Sequence, residues 1–423
     1  MPSLVTRRFD NFFSGGAVPW PNGYVYVVVG GWYANERTLT VYRCSQDLSS
    51  CTQVATGPSI EDTYCCTPQD GKLWFGGMHR TNGGIIGYYD PSTNSIDYVS
   101  FPEDLQYRKY LTPVAYNNVS RKWFIGGAGN GGGSVYIVDN PLNKTTWVNV
   151  SSQYFEGSDE IYIFPVLGSR KVLFQMSVVN FRTRVYIADI SSDWTTISNK
   201  QVVFERSTPG PTGWMSYQTS TMCGDYIFVA DMYYDSGAGA GVNRLLRVNK
   251  NNFSDVSEVY RLTGSCTGCE GHNHVSSILD KYVLLSAGGT PAFGKLVLFD
   301  TTGNQLWETD FRFHVELNNV HYGNKFGIHA ENPNPSSVPY IDVGYIQLDE
   351  SDPFLNVSVS GYTINVSNAY PNSVVKACKA HSRYGNAINL LGQMFDKCIT
   401  ATADSSGRAT ITVDEPGDWI VIS

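Results

Sequence analysis

Short runs in which apolar and polar residues alternate, each closed by Gly, Asp, Asn or Pro, fill most of this chain. Period-two alternation between turn residues predicts β-strands rather than helices. One such run recurs as "GYVYVVVGG" from Gly23, "GKLWFGG" from Gly71, "RKWFIGG" from Arg121, "RKVLFQMS" from Arg170, "DYIFVAD" from Asp225, "KYVLLSAGG" from Lys281 and "NKFGIHAEN" from Asn324. The copies start 48, 50, 49, 55, 56 and 43 residues apart, so the chain repeats a unit larger than a hairpin.

The same order of elements surrounds each copy. The second shows it well: "SIEDTYCC", the turn "TPQDG", "KLWFGG", then "GGIIGYYD" and "SIDYVSF", a four-stranded meander. A lone meander cannot bury both of its faces, so the copies are expected to stack radially into a closed ring. The expectation is an all-β chain with an about seven-bladed β-propeller over residues 1–350. The last repeat, roughly 313 to 349, offers three clear strands, and "LVTRRFDNF" at the N-terminus is the candidate for its fourth. Closure of that kind removes an open sheet edge, while a loose N-terminal arm is the alternative.

Several repeats resemble the kelch family. That family places a Gly-Gly pair at the end of the second strand, an aromatic residue and Asp in the third, and Trp near the fourth. Gly288-Gly289, Phe299-Asp300 and Trp307 follow the pattern, as do Gly126-Gly127, Asp139 and Trp147. Gly76-Gly77 and Tyr89-Asp90 follow it with Tyr98 in place of Trp, whereas repeats four, five and seven lack the Gly-Gly pair. The resemblance implies architecture, and function does not follow from a fold. Residues 354–423 alternate at period two in "FLNVSVSG", "YTINVSNA", "SVVKACKA", "GRATITVD" and "DWIVIS". The stretch "ATADSSGRATITV" resembles the last hairpin of bacterial Ig-like surface modules, which implies a C-terminal Ig-like β-sandwich domain.

Composition sharpens this picture. Charged residues make up only 16% of the chain, against 41 Gly, 27 Tyr and 9 Trp, which suits many short strands, tight turns and aromatic packing between sheets. The net charge of -8 comes with no basic block, so a surface that tracks nucleic-acid phosphates is excluded. No apolar run is long enough for a transmembrane helix, and "MPSLVTRRFDNFFSGGAVPW" lacks the apolar core of a secretory signal. The expectation is a leader removed beforehand, or release inside an assembled particle.

Nine cysteines bear on compartment and on chemistry. Close pairs without a repeated four-ligand pattern favour disulfides, with Cys44 to Cys51, Cys266 to Cys269 and Cys378 to Cys398 as candidates, while Cys223 reads as a buried small hydrophobe. The last pair closes a loop worth on the order of 3 kcal/mol in a chain-entropy account. Vicinal Cys65-Cys66 has no explanation at this level. Sequons at Asn118, Asn143, Asn149, Asn252, Asn356 and Asn365 permit a glycoprotein without requiring one.

"CTGCEGHNH", Cys266 to His274, is the densest cluster of metal-ligand residue types. In a propeller it falls on an outer-to-inner connection, and such connections gather on the rim around the channel mouth. Asp62, Lys109, Glu160, Met215, His272, His274, His314 and Glu316 stand at comparable places and form the candidate ligand-binding rim. His272, His274 and His314 are candidate ligands for copper or zinc, though a disulfide-stapled loop with hydrogen-bonded histidines is the preferred account.

The leading functional reading is non-enzymatic. It is a surface recognition or structural protein, a virion or cell-surface attachment component, located on the virion surface or outside the cell. Its propeller rim would bind a host glycan or protein, and its C-terminal module would contact other virion or surface subunits. The alternative is a secreted propeller enzyme, and no residue is assigned as catalytic. A kelch-type propeller followed by an Ig-like module resembles the copper-radical oxidases related to galactose oxidase, which implies copper held by histidines such as His272 or His274 with His381, and a tyrosine such as Tyr322. The tyrosine and cysteine motifs of that family do not match here. A polysaccharide-acting glycosidase or lyase would use Asp62 and Glu160 as paired carboxylates.

Overall fold

The computed structural model describes residues 2–422 apart from 21–22, 32–35, 70, 80, 103–109, 118–121, 129–133, 151–159, 167–170, 179–181, 207–216, 219, 265–271, 279–281, 291–292, 312–314, 323–324, 332–339, 349–355, 368–373, 381–387, 390–394 and 415–418. Among the described residues there is no α-helix. After β1 (Ser3–Asp10) the chain runs through antiparallel meanders. The first is β2 (Ser14–Pro19), β3 (Val25–Gly30), β4 (Arg37–Cys44) and β5 (Cys51–Ile60). The second is β6 (Asp62–Gln69), β7 (Lys72–His79), β8 (Gly83–Asp90) and β9 (Ser95–Phe101). The third, β10 (Tyr110–Asn117), β11 (Lys122–Ala128), β12 (Ser134–Val138) and β13 (Trp147–Asn149), joins the second through one bridge, Leu111 to Gly77.

The fourth comprises β14 (Glu160–Val166), β15 (Lys171–Val178), β16 (Arg182–Ile190) and β17 (Ile197–Glu205). A short β18 (Tyr217–Gln218) precedes the fifth, which is β19 (Ser220–Cys223), β20 (Tyr226–Asp235), β21 (Ala240–Asn249) and β22 (Asn252–Gly264). The sixth is β23 (His272–Ile278), β24 (Tyr282–Thr290), β25 (Phe293–Asp300) and β26 (Gln305–Phe311). The last contains β27 (Val315–Tyr322), β28 (Lys325–Glu331) and β29 (Tyr340–Gln347), and β1 is its fourth strand, with Ser3 opposite Gln347 and Asp10 opposite Tyr340.

The first strands of these units touch in cyclic order: β2 to β6, β10, β14, β19, β23, β27 and back to β2. That ring makes the fold a β-propeller. Its cores lie between sheets rather than at one centre. Tyr26, Val28, Leu73, Phe75 and Tyr89 fill the gap between the first two sheets, and Trp74, Ile86, Trp123 and Ile125 fill the next. Val25, Val27 and Val29 pack instead against Ile341, Val343 and Tyr345 of the last sheet. Successive side chains of one strand thus serve opposite neighbours, so the inner strands read as continuous apolar runs rather than half-buried alternation.

Two aspartates of the repeats, Asp90 and Asp300, end hairpins, whereas Asp139 meets the Lys122 ammonium. Oδ1 of Asp90 accepts hydrogen bonds from the Ser92 backbone N–H at 2.8 Å and hydroxyl at 2.6 Å, and Asp300 accepts from the Thr302 and Asn304 N–H groups at 2.8 and 2.9 Å. Asp47, Asp193 and Asp404 cap equivalent turns on the surface. Hydrogen bonds from Ser45 and Ser49 hold the Asp47 carboxyl down at about 2, and those from Ser191 and Ser406 lower Asp193 and Asp404. Because the folded values lie below 3.8, these caps stabilise the fold fully above that pH. Their contribution is lost as pH falls, down through about 2 for Asp47. Denaturant midpoints measured between neutral and strongly acid pH should fall across this window, and Asp47→Asn should flatten part of that fall.

The ring's seam is fastened twice. Cys44 and Cys51 form a disulfide across the β4–β5 hairpin. Arg7 of β1 donates to the Leu48 and Ser49 carbonyls at 2.7 and 2.9 Å, and the Tyr345 hydroxyl donates to the Gln46 carbonyl. The stapled turn is therefore the surface that the last sheet grips. Replacing Cys44 and Cys51 together by serine is expected to cost about 2.5 kcal/mol, from the loop entropy restored to the unfolded chain. Equilibrium unfolding of the double variant measures it.

The register also places Cys66. Cys65 opposes Phe75 and Thr67 opposes Trp74, so Cys66 is the additional residue of a β-bulge in β6. Residues beyond the ring form two three-stranded sheets. One holds β30 (Asn356–Ser360), β31 (Thr363–Ser367) and β35 (Ala409–Thr412); the other holds β32 (Val374–Ala380), β34 (Phe395–Thr402) and β36 (Trp419–Ile422). They face each other over Ile364, Val366, Val375, Ala377, Ile411 and Val413. Between β32 and β34, the two-residue β33 (Ile388–Asn389) pairs with Val320 and His321 of β27, attaching this part of the chain to the ring.

Candidate functional site

The cyclic contacts of the first strands bring their starts around one mouth. β18 pairs in parallel with β23, Tyr217 opposite His272 and Gln218 opposite Asn273, so neighbouring strands enter the ring in the same direction. Asp62, Glu160 and His272 are the opening residues of β6, β14 and β23, and Glu316 is the second residue of β27. Lys109, Met215, Cys266, Cys269, His314 and His381 lie outside the described residues.

His274 is described in full, and it is buried, with 8% of its surface exposed. Its cross-strand partner is Ser286, and the next pair on that face is Ser276 with Leu284, whose side chain packs against Phe326 and Ile328 of the last sheet. Val275, on the other face, packs with Phe228 and Leu285 towards the fifth sheet. The two faces of β23 thus look towards neighbouring sheets, and His274 sits in the seam between the sixth and the last. Among the described residues, no group of three or more His, Cys, Asp or Glu side chains gathers to hold a metal. Of the candidate metal ligands His272, His274 and His314, only the side chain of His274 is among those described.

A different polar cluster stands out near the same rim. Arg206, the first residue after β17, places its Nε 2.9 Å from Oδ1 of Asp231. Arg244 of β21 meets the other carboxylate oxygen, Nε at 2.9 Å and Nη2 at 2.8 Å. Asp231 is fully buried, and the Arg206 side chain is 3% exposed. Outward from this core, Arg244 lies 3.6 Å from Glu258, and Arg261 clasps Glu258 through two bonds of 2.6 and 2.9 Å. Arg261 also donates to the Tyr233 hydroxyl at 3.0 Å, and the Arg244 guanidinium lies 4.8 Å from the Tyr233 ring centre. The Arg261 hydrogen bonds hold the Glu258 carboxyl below its usual range.

Both oxygens of Asp231 are occupied, and its partners come from the exit of the fourth sheet and from within the fifth. The cluster therefore fixes the point where the chain leaves one sheet for the next, close to the ring's mouth. Sequence reasoning missed it, because Arg206, Asp231, Arg244 and Glu258 meet only once strand register is set. One signal was present. In "DYIFVAD" the pair Ala230-Asp231 occupies the place where other repeats carry Gly-Gly.

No family model matches this chain. Over 120 residues it is 35% identical to coat protein TP4 of Thermoproteus tenax virus 1, a stretch that covers 28% of this chain and 53% of that protein. The chain thus spans about half the length of the curated relative it matches. Among solved structures, it aligns with a chain of the mitotic checkpoint complex at a TM-score of 0.46 and 12% identity, covering 81% of this chain and 91% of that one. A prolyl endopeptidase aligns at a TM-score of 0.43 and 9% identity, covering 86% and 56% respectively.

Proposed function

We propose that this protein is a structural subunit of a virus particle. The observation that carries the reading is the 35% identity to a viral coat protein. The fold is consistent with such a role: a closed ring leaves each sheet only its outer edge, and the seam is clasped by a disulfide hairpin and an N-terminal strand. The test is proteomics of density-purified particles combined with antibody labelling of intact ones. Labelled particles containing the chain at many copies support the reading. A chain confined to the soluble fraction of infected cells overturns it.

Within that role, the rim around Asp62, Glu160, His272 and Glu316 is proposed as the face that meets a host glycan or protein, and the C-terminal sandwich as the contact with other subunits. Binding of the purified chain to host envelopes, lost in an Asp62→Ala, Glu160→Ala variant and unchanged in an outer-strand control, tests the first part. In the sandwich, Cys378 stands directly opposite Cys398 across β32 and β34. Directly opposed antiparallel positions suit a disulfide. Peptide mapping without reduction is expected to recover these two cysteines as one linked species.

A further inference from the structure

Among the described residues, the outer edge of β30 differs from the ring's edges. The outer strands of the propeller carry charge, a proline or very little length: Asp97 in β9, Lys200 and Glu205 in β17, Asp255 and Glu258 in β22, Glu308 and Asp310 in β26, Pro58 in β5, and three residues in all for β13. Those are devices that keep sheet edges from pairing with other chains. β30 has none of them. From Pro353 to Val375 the chain contains no Asp, Glu, Lys or Arg, although it carries a net charge of -8 overall.

Register shows that this edge is an uncovered part of a core. Val357 pairs with Val366, and Val359 with Ile364, so all four side chains lie on one face of the sheet. Val366 and Ile364 are buried against the second sheet at 3% and 1% exposure, whereas Val357 and Val359 are exposed at 44% and 67%. Tyr362, at 55%, stands beside them in the turn that joins the two strands. The second sheet covers two strands of the first and leaves β30 bare.

We infer that β30 is a self-association edge, and that its occupant is β30 of a second copy of this chain. Two arguments select a second copy. Copies of an acidic chain repel one another except where they meet through neutral surface, and this is a neutral stretch. The sequence is also self-complementary: antiparallel pairing about a twofold axis through Ser358 sets Val357 of one copy opposite Val359 of the other, on the face that lacks cover. Main-chain hydrogen bonds would then join the two edges while four valines close over each other. The inference deepens the subunit reading and rests on it for its biological sense, but its test uses the isolated chain.

Sedimentation velocity of the full chain over a rising concentration series should show reversible dimers. Val357→Lys combined with Val359→Lys should weaken association at least about tenfold, since each lysine would be buried against its counterpart. Val202→Lys, on an exposed position of β17, should leave it unchanged. Circular dichroism monitors folding, and a second variant carrying Glu at both positions provides a rescue: each charged variant alone stays monomeric, and an equimolar mixture dimerises. A wild-type chain that stays monomeric throughout, a lysine variant that associates as well as wild type, or a mixture that fails to associate overturns the inference. Those outcomes leave incorporation into particles untouched, whereas a chain absent from particles overturns the subunit reading and leaves the edge in place.

Discussion

Replacing Asp231 by alanine is expected to destabilise the protein by about 3–5 kcal/mol, because it removes the carboxylate that binds two guanidinium groups in a site that excludes water. The carboxylate is fully buried and holds Arg206 and Arg244 on its two oxygens. The Arg244 side chain is 20% exposed and also meets Glu258, whereas that of Arg206 is 3% exposed, so the loss falls hardest on the more deeply buried cation. Arg244→Met should accordingly cost less than Asp231→Ala. Chemical unfolding of both variants measures the difference, and a loss under about 1 kcal/mol for Asp231→Ala would place the cluster among ordinary surface pairs.

A comparable loss is expected from Gly344→Val, for a reason of space. Gly344 of β29 lies opposite Thr6 of β1 and Ile328 of β28. A Cβ at this position would run into the Val5 carbonyl oxygen and the Thr6 backbone, neither of which can swing aside as a side chain can. The strand must back away, and with it go Phe9, which packs into the core between the last and first sheets, and the grip of Arg7 on the stapled hairpin. A cost of about 3 kcal/mol follows from overpacking of this kind. Amide exchange along β1 should rise well above that of β28, and trypsin should gain access at Arg7 and Arg8. Protected β1 amides in the variant would show that the strand accommodates the side chain.

The strands and their repetition were readable because each inner strand packs on both sides and so writes an apolar run such as "VYVVVG" into the chain. Asp90 and Asp300 were visible as letters; their work as turn caps needed geometry, since Ser92 or Thr302 must fold back onto them. The strand starts were legible, since Asp62, Glu160 and His272 open β6, β14 and β23. His274 was not, because alternation gives two faces without saying that both meet neighbouring sheets. The cluster around Asp231 stayed hidden for a related reason: Arg206 lies 25 positions from Asp231, just past the end of β17, while Asp231 belongs to β20 of the next sheet. The bareness of β30 also depends on register, which alone puts Val357 and Val359 on the core side.

The pairing of Ser3 with Gln347 sets an order of events during synthesis. A ribosome adds about 5–20 residues each second, so the first strand emerges well before its partner exists. Through that interval β1 and the first sheet have no last sheet to pack on, and the valines that later meet Ile341 and Val343 stay open to any other nascent chain. Loop-closure entropy makes this the costliest strand pairing of the ring to form, and it must wait for β29. Among the strands of the ring, β1 is thus translated before the others and is the last to find its partner.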